Sequence, residues 1–193
     1  RQKRFADADR IATGMINRAG DKPDTRWLFL RGQISMELKD TEKALADFRR
    51  GAEAAGQNSA AVGTVLGAYL GLNQFAKGVQ YYEALGTRDE KDPDVLGKYA
   101  QLLARSGRVP QAVDVFRNAM SIAMATSGQQ VQSLMSHVFS AFSVTEAIEP
   151  FEKTQCPPPV SRANDRLLAR LYAAANRQTE AQAKLDGLIQ SAT

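Results

Sequence analysis

The chain is poor in the residues that most often carry chemistry. Its 193 residues include one cysteine, Cys156, and one histidine, His137. A lone cysteine excludes an intrachain disulfide and a cysteine-based metal site, and a lone histidine excludes a multi-histidine one. A membrane-length apolar run is lacking as well. No charge occurs from Ala54 to Ala76, but Gln57, Asn58, Asn73 and Gln74 confine the apolar part to Ala60–Leu72. A membrane span needs about 20 apolar residues, so this stretch reads as a buried helix. Charge is not concentrated either: 25 Lys and Arg face 21 Asp and Glu, for a net +4. Apart from the basic residues among the first four, the two signs are interspersed, and nothing here points to nucleic acid. The N-terminal residues lack the apolar core of a secretory signal. The chain begins without Met and inside an amphipathic pattern, so it reads as a segment of a longer protein. Cytoplasm and periplasm both fit it.

What is present is ordinary for a water-facing globular chain, at 44% hydrophobic and 24% charged residues. The information lies in a period. The stretches KDTEKALADFRRG (39–51), NQFAKGVQYYEAL (73–85) and GRVPQAVDVFRNA (107–119) share a small residue followed four positions later by an aromatic. Ala44, Gly78 and Ala112 are 34 residues apart, and Phe48, Tyr82 and Phe116 keep the same interval. Weaker copies carry Ala147 with Phe151 and Ala181 with Leu185. An amphipathic stretch of helical periodicity precedes each. Val95, Tyr99, Leu103, Val113 and Phe116 are expected in the core, together with Val131, Leu134, Met135, Val138 and Phe142. Gly107 before Pro110 reads as a turn leading into a helix whose first turn tolerates proline. Ser143 and Glu146 read as a capping box, Pro150 as an interruption of the helix after it, and residues 156–160 as a stiff extended connector.

A 34-residue period with two helical segments per period resembles the tetratricopeptide repeat, a helix–turn–helix unit. Gly32 with Ala44 and the set Tyr99, Ala100, Leu103, Gly107, Ala112, Phe116 and Ala119 carry the resemblance most closely. It implies an all-α fold, a right-handed α-solenoid of about five and a half repeats. The units expected are a half repeat over 1–24, then 25–58, 59–92, 93–126, 127–160 and 161–193, in one array. The apolar stripe Leu185, Leu188 and Ile189 leaves the C-terminal end uncapped.

Catalysis finds little support. No glycine-rich phosphate loop is present, and Asp89, Glu90, Asp92 and Asp94 have no accompanying base or nucleophile and read as a solvated turn. His137 reads as a surface or packed histidine, and Cys156 as a connector residue. No enzyme activity, cofactor or metal is expected. Binding is the better case. In the family resembled, the first helix of each repeat lines a concave groove that holds partner peptides. Transferred position by position, that face takes Phe29, Gln33 and Met36 from the first full repeat. The second repeat contributes Gly63, Gly67, Leu70 and Gly71. Lys98, Gln101 and Arg105 follow from the third, then Gln132, Ser136 and Phe139, and finally Arg166 and Arg170. The glycine row is costly to a helix, at about 1 kcal/mol each, and is read as a bare groove floor. The alternative is that it packs between helices. A partner with a bulky apolar residue over the glycines and an acidic stretch toward the C-terminal arginines fits this face. The plainer alternative leaves the cations as solvated surface charges. The resemblance excludes two specialisations. Phe29, Gln33 and Gly67 do not form a carboxylate clamp, and Leu30, Thr64, Lys98 and Leu167 stand where an asparagine ladder would run. A protein-binding scaffold is the leading expectation, and a module self-associating through its ends the second.

Overall fold

A computed structural model describes residues 2–20, 24–86, 90–126, 128–153 and 160–190. Among them lie eleven helices and no strand. Helix α1 (Gln2–Arg18) stands alone. Eight of the others pack as consecutive pairs: α2 (Thr25–Glu37) with α3 (Thr41–Ala54), α4 (Ser59–Gly71) with α5 (Phe75–Ala84), α6 (Pro93–Arg105) with α7 (Val109–Thr126), and α10 (Val160–Ala174) with α11 (Gln178–Gln190). Helices α8 (Gly128–Ala141) and α9 (Val144–Glu152) follow each other in the chain, α8 lying on α6 and α7 and α9 on α7 and α10.

Helix starts and turns are written in short polar residues. Asp24, Asp40, Asn58 and Asp92 each accept a backbone N–H in the first turn of the helix that follows, which satisfies a donor that has no intrahelical partner. The turn inside each of the four pairs places one residue in the left-handed region. These are Lys39 (φ 62°), Asn73 (φ 54°), Gly107 (φ 85°) and Asn176 (φ 61°). The next residue then donates back to the closing helix: Asp40 N to Ser35 O, Gln74 N to Tyr69 O, Arg108 N to Leu103 O and Arg177 N to Tyr172 O, all at 2.8–2.9 Å. This is the Schellman closure, and it reverses the chain within a few residues. The capping box of Ser143 and Glu146 is formed, and Pro150 lies inside α9 two residues before its end. Residues 156–159 of the expected connector lie outside the described residues, as do Cys156 and Asp89.

The small residues of the period are the buried points of the pairs. Ala44, Gly78, Ala112, Ala147 and Ala181 are all buried. Phe48, Phe116 and Phe151 are buried beside them, whereas Tyr82 is half-buried and Leu185 is exposed. Of the expected core, all are buried except Tyr99, which is half-buried.

The chain divides into two compact units, residues 1–86 and 87–193. In the first, α1 packs on α2, α2 on α3, α3 on α4 and α4 on α5. Arg31 holds three of these helices together. Its guanidinium donates to both Asp47 carboxylate oxygens at 2.6 and 2.8 Å and to Thr13 Oγ1 at 3.2 Å. Both partners of this pair are largely out of solvent, with side chains 14% and 5% exposed. Lys43 reaches from α3 to Asp9 on α1 at 2.7 Å. In the second unit α8 packs on both α6 and α7, and α10 on α7, α9 and α11. Phe116, Phe142 and Phe151 form its aromatic centre, with ring centroids 6.1–6.5 Å apart. At its C-terminal end the Tyr172 hydroxyl donates to Glu152, and Arg177 lies 4.6 Å over the Tyr172 ring. Burial, followed by that bond to a carboxylate, pushes the Tyr172 phenol up to about 12.

Candidate protein-binding face

The first helices of the pairs supply the candidate face. In α2, Phe29 turns toward its own partner helix. A β-carbon at Gly51 would stand 2.8 Å from Phe29 Cε1, so the ring occupies space that glycine leaves free. Its centroid is 6.3 Å from that of Phe48. Gln33 and Met36 instead line an open cavity of about 460 Å³ with Phe5, Leu30, Ile34 and Glu37. The sequence reasoning missed Leu30 as a lining residue, although 41% of it is exposed.

The glycine row of α4 splits into three environments. Gly63 is buried. Around Gly67 a β-carbon would meet no heavy atom within 4 Å, so that position faces open space. At Gly71 it would lie 3.2 Å from Met36 Cε, a tight approach to the flexible end of a side chain from α2. Leu70 is half-buried.

In the second unit the α6 positions are engaged within the fold. Lys98 Nζ bonds Asp94 at 2.5 Å, and His137 Nε2 lies 3.1 Å from the other Asp94 oxygen. These bonds, chiefly that of His137, hold the Asp94 carboxyl well below the usual carboxylate range. Gln101 is buried and donates its amide to the His137 carbonyl at 3.1 Å. Gly97 is the reason α8 comes this close: a β-carbon there would sit 2.8 Å from His137 Cδ2 and 3.0 Å from Leu134 Cδ2. Arg105 is exposed. The turn ahead of α6 is structural rather than simply solvated. Glu90 is 8% exposed and accepts the Asp92 N–H at 3.0 Å, while Asp92 caps α6.

The α8 and α10 positions converge. Arg170 donates to Gln132 Oε1 at 2.9 Å, touches Met135 Sδ at 3.5 Å and lies 5.7 Å over the Phe139 ring. Gln132, Arg166 and Arg170 line one cavity of about 370 Å³, whose floor is Met135, Ala169, Ala173, Ala181 and Leu185. Four of the five transferred positions from these two helices therefore meet around one site. The fifth, Ser136, is exposed, and its hydroxyl bonds back to the Gln132 carbonyl at 3.2 Å. Sequence reasoning placed Met135 only in the core and did not foresee the contribution of α11. The exposed alanines of α10 and the short Gln178–Gln182 polar row beside Ala181 were the available signal.

Among the described residues no group of three metal-ligating side chains occurs, and no helix is long and apolar enough to cross a membrane. Paired helices with a small residue at each crossing and a left-handed closing turn define an α-helical repeat protein. Two family profiles, both described as tetratricopeptide repeat, match residues 26–58 and 68–123. Tetratricopeptide repeats thus occupy these two stretches of the chain. Its fold is similar to the crystal structure of BtubC (BKLC) from P. vanneervenii, with 15% identity, 98% of this chain and 87% of that one covered, and a TM-score of 0.50. A Podosopora anserina protein of nearly identical TPR-like repeats, described as a kinesin light chain, aligns over 86% of this chain and 93% of its own at 18% identity and a TM-score of 0.46. No curated protein matches the chain in sequence. Repeats of this family generally mediate protein–protein interaction.

Proposed function

We propose that the chain is a protein-binding scaffold whose first helices carry the recognition face for a partner peptide. The observation that supports this most is the meeting of Gln132, Phe139, Arg166 and Arg170. Side chains up to 38 residues apart gather there around an apolar floor, and among the described residues neither arginine is bonded to a carboxylate. A partner segment carrying acidic residues would supply the missing counter-charge. In the N-terminal unit, the open position at Gly67 leaves room for a bulky apolar side chain of a partner.

The experiment is a peptide-display selection on the intact chain, followed by affinity measurement of the enriched sequences. Enriched peptides are expected to carry a large apolar residue or acidic ones, the apolar class binding at least tenfold more weakly to Gly67→Leu and the acidic class to Arg170→Ala. Gly67→Ala serves as the folding control. Enrichment no greater than on heat-unfolded chain would overturn the reading.

A second reading, self-association, is favoured by the exposed apolar side chains of α11. Leu185 is 45% and Ile189 65% exposed. Sedimentation over a concentration range decides it, and a monomer at the highest concentration removes it.

A further inference from the structure

His137 is the one histidine of the chain, and it sits where α8 comes close to α6. Gly97 permits the approach: the imidazole Cδ2 lies 2.8 Å from where a β-carbon would stand, so the ring fills space that glycine leaves. The Gln101 amide holds the backbone beside it by donating to the His137 carbonyl at 3.1 Å. The ring is thereby fixed against α6. Its side chain is 16% exposed, and its Nε2 faces Asp94 Oδ1 at 3.1 Å.

The charges that meet this ring can be named helix by helix. From α6 comes Asp94, whose other oxygen is bonded by Lys98 at 2.5 Å. The other helix packed on α8 is α7, whose charged residues Asp114 and Arg117 bond each other at 3.0 Å. Helix α8 itself carries no Asp, Glu, Lys or Arg. From α10, Arg170 reaches α8 at Gln132 and over the Phe139 ring. Among the described residues, Asp94 is therefore the one anion bonded to the imidazole. Histidine is the side chain whose charge changes between about pH 5 and 8. Asp94 stays ionised through that whole range, because its bonds hold the carboxyl well below the ordinary value.

We propose that the α6–α8 contact is a pH-sensitive latch, tightened by the protonated His137 ring on Asp94 as the pH falls through the histidine range. With a neutral ring the contact is a hydrogen bond to a carboxylate. With a protonated ring it is a hydrogen bond inside an ion pair, which is stronger where solvent is largely excluded. Burial works the other way, since it disfavours charge on the imidazole, and the Asp94 carboxylate outweighs it. A contact that prefers the charged ring contributes most on the acid side and loses that contribution as the pH rises. Both helices carry residues of the proposed face, Lys98 on one and Gln132, Ser136 and Phe139 on the other, so the latch joins two parts of that face. It is a property of the fold and stands whether or not the scaffold reading does.

Urea unfolding of the intact chain at about pH 5 and about pH 8 tests the latch, with wild type, Asp94→Asn, His137→Gln and the double variant forming a cycle. The coupling between the two sites is the non-additive part of the midpoint shifts. It is expected to be at least twofold larger at the lower pH. Equal coupling at both, as for a histidine that serves only to pack, overturns the proposal, and so does larger coupling at the higher pH. Should His137→Gln fail to fold, the ring protons of the single histidine answer without it, in chain free of a histidine tag. Their NMR titration in the folded chain is expected to move to lower pH in Asp94→Asn. An unchanged titration overturns the latch.

Discussion

Arg31 and Asp47 form the ion pair whose loss would cost most. Breaking a buried pair by removing one partner strands the other charge, at about 3 kcal/mol. Asp47→Ala is therefore expected to lower the urea midpoint of unfolding strongly without changing its slope, whereas replacing both residues by apolar ones recovers much of the loss. Asp94 makes a weaker and pH-dependent contribution. Its folded-state carboxyl lies below the ordinary value of 3.8, first because of the His137 bond and then because of Lys98. A depressed acid stabilises the fold above its unfolded pKa, and that contribution is lost as the pH falls through the lower folded value. Wild type is expected to exceed Asp94→Asn in stability at neutral pH, by less than about 1 kcal/mol for so exposed a group. The difference should shrink below pH 3.8, and thermal melts across pH 2–7 would reveal it. Of these partnerships only Asp94 with Lys98, four residues apart on α6, has a spacing that a sequence shows. Gln101 looked free because the group that engages it is the carbonyl of His137, 36 residues beyond, which only the packing of α8 on α6 brings near.

Two glycines in equivalent first helices have opposite roles at the scale of the element. Gly97 admits His137 and Leu134, and an added methyl would meet them at 2.8 and 3.0 Å. Gly97→Ala is expected to destabilise, since overpacking costs about 1–3 kcal/mol against the roughly 1 kcal/mol of helix propensity gained. Gly67→Ala meets nothing and is expected to stabilise by about 0.5–1 kcal/mol. Opposite shifts in melting temperature would separate a packing glycine from an open one. The 34-residue interval made the pairs legible because each crossing needs a small residue, and Ala44, Gly78 and Ala112 announce it. The turns were legible only in part. Gly107 signals a left-handed position, but Lys39 occupies the same conformation with no sequence hint, held there by the bond from Asp40 to Ser35. Phe29 was assigned to the face by its position, yet it leans into the space at Gly51, a detail that depends on one absent side chain across the pair.

For the whole molecule, the repeat character and the all-helical fold were readable, while the C-terminal cavity was not. That site depends on α11 adding Gln178, Ala181 and Leu185 to positions on α8 and α10, and no single helix carries it. Each unit has its own buried interior, Leu28, Phe48 and Leu66 in one and Phe116, Leu134 and Phe151 in the other. Fragment 87–193 is thus expected to fold when expressed alone, with a cooperative melt monitored by circular dichroism; a non-cooperative, largely unfolded fragment would show that its core needs the other residues. The empty surroundings of Gly67 also make it an attachment point. Gly187 in α11 is equally unobstructed, and Cys156 is the only native thiol. Cysteines at these two glycines, in a Cys156→Ser background, would carry spin labels without displacing a neighbour, and pulsed dipolar spectroscopy could then measure the distance between the units.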